Sequence, residues 1–310
     1  MAGVSNAVNA GSGLTTGIWF SERGQNFCPL FDTGIIAAPL EIGVPLRVDS
    51  TFAFTEGPAV DKDGNVYFTD QPNDRIWKYD LHGILSVFMD HTGRSNGMYF
   101  DHSGNIISCA DEHNELWSIS PDKKVTVLAS NFKGGRFNGP NDIWVNPVSG
   151  SMYFTDPYYP RNYWPKAHPH LSQENVYFLK KKGRKARLAV TGLNKPNGII
   201  GSPDGKTLYI ADIGANKTYQ YSIGRNGRLI NKQLFTPQGS DGMTIDSEGN
   251  IYLTGEGVTI YNRHGSCIEH IKIPENWTAN VCFGGEGMHL LFITASKSIY
   301  ILKMKVRGVQ

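Results

Sequence analysis

The chain has 310 residues, 40% of them hydrophobic and 19% charged, with a formal net charge of +2. That apolar content is ample for a large core. The charges form no basic stripe of the kind that nucleic acid selects, and no apolar run reaches membrane length.

Residues 1–44 read as an N-terminal extension, and 45–310 as one repeating domain. The first residues lack the basic, then apolar, then small-residue order of a secretory leader. Localisation stays open between the cytoplasm and, after removal of a leader, the periplasm or the exterior. "GIWFSERGQNFCPLF" is too apolar to float free and is expected to pack on the side of the main domain. "PLRVDSTFAF", from Pro45 to Phe54, has strand character.

A repeat follows. "FTEGPAVDKDGNVYFTD" sets Glu56 ahead of a turn glycine, Gly64. "RSNGMYFDHSGNIISCAD" does the same with Asn96 and Gly104, and "GPNDIWVNPVSGSMYFTD" with Asn141 and Gly150. "KPNGIIGSPDGKTLYIAD" has Asn197 and Gly205, and "GSDGMTIDSEGNIYLT" has Asp241 and Gly249. "TANVCFGGEGMHLLFIT" is a weaker copy with Asn280 and Gly287. The intervals between turn glycines are 40, 46, 55, 44 and 38 residues. Six copies at such a period mark a propeller with one blade per copy. Each copy reads polar residue, short strand, "D-x-x-G" turn and second strand, with chain enough for four antiparallel strands. The fold class is therefore all-β, a six-bladed β-propeller. Blade six lacks an outer strand after "SIYILKMKV", and the segment around Pro45–Phe54 is expected to supply it and latch the ring.

The polar residue at the head of each innermost strand lies at one end of the central channel. Six blades then place Glu56, Asn96, Asn141, Asn197, Asp241 and Asn280 on one ring. Any one of them alone is a strand-entry turn residue, but six in phase, all oxygen donors, make a site. Two carboxylates and several amide carbonyls suit a hard divalent cation, Ca²⁺ or Mg²⁺, better than Zn²⁺ or copper. Ca²⁺ is the expected ion, with Mg²⁺, Mn²⁺ or Zn²⁺ as alternatives.

These same segments, in order and from about Val48 to Lys305, resemble the SMP-30/gluconolactonase/LRE-like family, and its bacterial gluconolactonase branch in particular. The resemblance implies a six-bladed propeller with a divalent metal, usually Ca²⁺, in the channel. It places metal ligands on Glu56, Asn141, Asn197 and Asp241, all members of the ring, and points to Asp241 as catalytic base. Animal members carry an arginine where Gly139 stands here. Arg136 is near but not equivalent, so sugar recognition is expected to differ. The implied activity is hydrolysis of a small sugar lactone to the hydroxy acid by a monomer or weak homodimer. Two alternatives stay open, a hydrolase of another ester or organophosphate and a non-catalytic calcium-binding propeller that binds a protein partner.

The remaining features are assigned as follows. The longest interval holds "DPYYPRNYWPKAHPHLSQENVYF", whose Tyr158, Tyr159, Tyr163 and Trp164 argue for an ordered lid over the channel mouth. Tyr158, Tyr159 and Trp164 are expected to touch substrate, as are the ring members Asn96 and Asn280. Glu112 and His113 of "ADEHNELW" form an acid–base pair by type and are counted with the substrate-contacting candidates, although the turn before "LWSIS" explains them equally well. His168 and His170 read as loop histidines. Asp70, Asp156 and Asp212 read as backbone clamps at blade ends. "KKKGRKAR", Lys180 to Arg187, reads as a solvated hairpin turn. Cys28, Cys109, Cys267 and Cys282 lack metal-site spacing and read as buried apolar residues, with a bridge through Cys28 as the alternative.

Overall fold

The computed structural model describes residues 40–164 and 171–309. Among them are six four-stranded antiparallel sheets and one two-stranded hairpin, Asn131–Phe132 with Gly135–Arg136. The innermost strands are Thr55–Val60, Ser95–Phe100, Ile143–Val145, Pro196–Gly201, Met243–Ile245 and Thr278–Gly284. Each packs against the next, and the sixth packs back on the first, so the sheets close as a six-bladed propeller. No helix among the described residues is long and apolar enough to cross a membrane.

Ring closure follows the expected latch. Strand Glu41–Asp49 pairs antiparallel with Ser298–Met304 as the outer strand of blade six. It starts at Glu41, inside the stretch assigned to the extension, and Lys305 N adds a bond to Leu40 O at 2.7 Å. The last blade thereby gains a covered edge.

The repeated turns have a common construction. In blades one, two and five an aspartate carboxylate accepts from the backbone N–H groups two and four residues on. It also accepts from the side-chain amide of the asparagine after the turn glycine, as with Asp61, Asp101 and Asp246. The turn glycine takes positive φ, +82° at Gly249, where a Cβ would be strained. Asp246 is fully buried and accepts additionally from Tyr252 Oη at 2.9 Å. Asp246→Ala is expected to strand these donors and cost on the order of 3 kcal/mol, seen as a lower urea midpoint.

The core lies between blades. Trp144, Tyr153, Ile199, Leu208, Met243 and Ile251 belong to one cluster across blades three to five. Blades five and six share another, with Tyr252 and Phe283 edge-on at 5.2 Å. Cys109 and Cys282 are buried and free. Cys267 is disulfide-bonded, so reading all four cysteines as apolar filler fails for that one. Cys28 lies outside the described residues. The basic run turns between strands Asn175–Leu179 and Arg187–Val190, as expected.

Candidate functional site

The ring residues sit where regular strand pairing lapses. The ladder between first and second strands skips from Glu56 to Ala59, Ser95 to Met98, Pro196 to Ile199 and Thr278 to Asn280. In blades three and five the first strand begins only at Ile143 and Met243, just past Asn141 and Asp241. Such irregularities re-aim a side chain out of the pleat. A glycine follows four of the six, and the packing explains why. A Cβ on Gly242 would lie 1.9 Å from Asn280 Cγ, and one on Gly97 would lie 2.5 Å from the Asn141 carbonyl oxygen. Each strand passes hard against the next ring member.

Hydrogen bonds join four of the six ring side chains in two pairs. Asn197 Nδ2 donates to Asp241 Oδ1 at 2.7 Å, and Asn280 Nδ2 donates to Glu56 Oε2 at 3.2 Å. Asp241 Oδ2 accepts from Trp277 Nε1 at 2.6 Å. Because a carboxylate can only accept, the nitrogen of each amide must face it. The carbonyl oxygen of Asn197 is then turned away, and it is buried without a partner, as is that of Asn96. Such orphaned acceptors are costly unless something binds them.

Charge is concentrated here. Burial first, then the charge of Asp241, holds the Glu56 carboxyl well above its ordinary range, against the pull of the Gly57 N–H. Burial pushes Asp241 up to about 6, opposed by the N–H groups of Trp277 and Asn197 and by Arg161. Asp142, beside Asn141, is pushed up to about 7 by burial, although its oxygens accept from the backbone N–H of Ile143 and Ile199. Three carboxylates near one another, Glu56 and Asp142 buried and Asp241 half-buried, resist ionising together, and a cation among them removes that resistance.

The insertion reaches this ring. Tyr159 Oη accepts from Asn197 Nδ2 at 3.0 Å. Tyr158 stacks on Trp164 at 6.2 Å, and its hydroxyl is buried without a partner. Trp164 Nε1 donates to Asp111 O at 2.9 Å, and Tyr163 Oη bonds the Asp111 carboxylate. Gly139 cannot carry a side chain, because a Cβ there would lie 2.9 Å from both Asp111 Oδ1 and the Trp164 ring. Insertion residues fill the space that an arginine at 139 would need.

Other candidates fall elsewhere. Glu112 and His113 lie in the turn Asp111–His113 at the end of the second strand of blade two. Glu112 is 3.9 Å from Arg94, and the exposed His113 stacks on Trp117 at 5.2 Å. Neither is bonded to the ring. Arg136 donates to His113 O at 2.8 Å. His168 and His170 lie outside the described residues. Asp70, Asp156 and Asp212 are backbone clamps, accepting from Ala53, from Gly139 and from Lys195 N–H respectively. Sequence reasoning passed over Asp142, Trp277, Asp111 and Arg161. Asp142 alone left a trace, as the one carboxylate directly following a ring member.

Comparison with known proteins adds the following. The model of the SMP-30/Gluconolactonase/LRE-like region matches residues 54–297. The gluconolactonase of Zymomonas mobilis is 31% identical over 304 residues, covering 87% of this chain and 84% of that protein. A solved gluconolactonase, XC5397 of Xanthomonas campestris, superposes with a TM-score of 0.78 at 24% identity, covering 86% of this chain and 95% of that one. A regucalcin of Agrobacterium tumefaciens, described as calcium-binding, superposes with a TM-score of 0.72 at 21% identity, covering 88% and 97%. These last two bear on the fold alone.

Proposed function

The chain belongs to the SMP-30/gluconolactonase/LRE-like family, and on that premise we propose that it is a lactonase. It would open a small sugar lactone to the hydroxy acid at the six-residue ring, with a divalent cation as cofactor. The observation that carries this reading is the pair of buried, unpartnered carbonyl oxygens, Asn96 Oδ1 and Asn197 Oδ1, together with the buried Glu56 and half-buried Asp241 carboxylates. That donor set fits a hard cation. Glu56, Asn141, Asn197 and Asp241 would hold it, Ca²⁺ foremost, and when bound it would polarise the lactone carbonyl and offset charge on its oxygen.

The chain's own residues supply the rest. Asp241 orients the attacking water and takes its proton as the hydroxyl adds to the carbonyl carbon. The acyl–oxygen bond of the ring then breaks, and the proton passes to the departing ring oxygen. A cation beside Asp241 lowers its basicity, so orientation matters as much as proton removal. Trp277 and Asn197 fix that orientation, each with one N–H on one carboxylate oxygen. Tyr158, Tyr159 and Trp164 shield the ring from bulk water, and Asn96 and Asn280 border the substrate.

The deciding experiment assays the protein on a panel of sugar lactones with Ca²⁺ and with a chelator. Hydrolysis that needs the cation supports the reading, and no hydrolysis of any lactone with cation present sinks it.

The carboxyl shifts give a second expected result. A raised carboxyl pKa favours the protonated form in the folded state. Its stabilising effect is complete below the unfolded value and is lost as pH rises through the folded value. For Asp241 that window runs from the ordinary carboxylate range to about 6. The cation must displace those protons, so the rise in Tm caused by Ca²⁺ should be larger at pH 8 than at pH 5. Glu56→Gln should shrink that difference. Equal shifts at both pH values would place the cation elsewhere.

A further inference from the structure

Asp111 holds a single arginine of the insertion, Arg161. The neighbouring blade-end aspartates in blades one, three and four accept from backbone N–H groups of their own blade. In blade two that position is Ala110, and the next residue, Asp111, accepts no backbone N–H among the described residues. Its buried carboxylate receives only side chains: Arg161 Nε at 2.8 Å, Gln71 Nε2 at 3.1 Å and Tyr163 Oη. Two of the three come from the insertion. Arg94 lies over the Tyr163 ring at 4.6 Å and closes the assembly from outside.

Arg161 has more donors than this bond uses. Of its five N–H groups, only the one on Nε has an acceptor among the described residues. The side chain keeps 24% exposure. Its guanidinium carbon stands 5.7 Å from the Tyr159 ring, whose hydroxyl touches Asn197, itself 2.7 Å from Asp241. A planar fork of donors therefore lies beside Tyr159, the insertion residue bonded to the ring. Asp111 already neutralises its charge, which suits an uncharged polar ligand rather than an anion.

We propose that Arg161 is a specificity-determining residue, whose Nη donors bind neighbouring hydroxyl groups of a polyhydroxylated lactone ring, with Asp111 as its positioning residue. The inference rests on the lactonase reading for its substrate class.

The test compares Arg161→Gln, Arg161→Lys and Asp111→Asn with the full-length wild type, all with Ca²⁺ present. Two lactones are assayed: glucono-1,5-lactone, and δ-valerolactone, the same ring without hydroxyls. Calorimetric binding of 1,5-anhydroglucitol, which has the hydroxyls but no lactone carbonyl, is measured beside them. In Arg161→Gln the preference for gluconolactone over δ-valerolactone, as a ratio of kcat/KM, should collapse by about 10–100-fold. The loss should sit in KM more than in kcat, and anhydroglucitol affinity should fall in parallel. Arg161→Lys should recover part of it, since it keeps charge and loses the fork. Asp111→Asn should show the same pattern at smaller size. An unchanged preference ratio, or a wild type that does not bind anhydroglucitol, overturns the proposal. A wild type that binds anhydroglucitol through Arg161 yet hydrolyses neither lactone leaves this inference standing and removes the lactonase reading.

Discussion

Asp241→Asn is expected to lower lactone hydrolysis by about 10³-fold or more, near the upper range for loss of a positioned base, with the propeller intact by circular dichroism. The size follows from where the two carboxylate oxygens are committed. Oδ2 accepts from Trp277 Nε1 at 2.6 Å and Oδ1 from Asn197 Nδ2 at 2.7 Å. An amide at 241 either sets its own NH₂ against one of those donors or requires Asn197 to turn its oxygen inward, so the ring is misaligned as well as deprived of a base. It also loses one of the two ring carboxylates, and the cation is left underneutralised. Calcium affinity and kcat should therefore fall together. Asp241→Asn protein that binds Ca²⁺ as the wild type does and turns over within tenfold of it would remove Asp241 from the mechanism.

Asn197 tests the ring from the opposite side. Its nitrogen serves Asp241 and Tyr159, and its oxygen is buried with no partner. Asn197→Leu removes both functions at no cost in bulk. It is expected to abolish calcium binding, measured by titration, and with it activity. Asn197→Asp should behave differently. A carboxylate oxygen can replace the amide oxygen toward the cation, so Ca²⁺ should be retained. Without Ca²⁺, a new carboxylate would stand where an N–H now meets Asp241 at 2.7 Å. Two like charges about 4 Å apart repel by roughly 4 kcal/mol near a protein surface. The Asp variant should thus have a lower Tm than wild type in chelator and recover on adding Ca²⁺. A third negative charge weakens the cation's pull on the carbonyl oxygen, and kcat should drop by roughly tenfold or more. If Asn197→Leu binds Ca²⁺ and hydrolyses lactone normally, Asn197 is only a strand-entry residue and the ring is not the site.

Blade number, turn positions and the place of each proposed ring residue at the head of an innermost strand were readable from the chain, because each is set by local chemistry that repeats. An aspartate that satisfies the amides two and four residues ahead, and a glycine at positive φ, write the same short pattern wherever the turn is needed. The ring shows through because each member occupies the same place in its copy. The need for an outer strand in blade six was also legible, as a strand missing after "SIYILKMKV" and a spare one before Glu56. The start of that strand at Glu41 was not, since it depends on register against Ser298–Met304 at the far end of the chain.

The surroundings of the ring were decided by the tertiary structure alone. Trp277 reaches Asp241 across 36 residues, and Arg161 reaches Asp111 across 50. Neither contact leaves a periodic or spaced signal, because the pairs come from different blades and their separation depends on loop lengths. Asp142 was not singled out beside Asn141. Only closure of the ring buries it next to Glu56 and Asp241 and pushes its carboxyl up to about 7. Glu112 and His113, singled out by type, face Arg94 and Trp117 instead, while their neighbour Asp111 turns inward to the insertion. Local sequence determines which strand a side chain sits on. Which groups meet across the channel, and hence their charge states and the part of a ligand they can touch, depends on how six blades close.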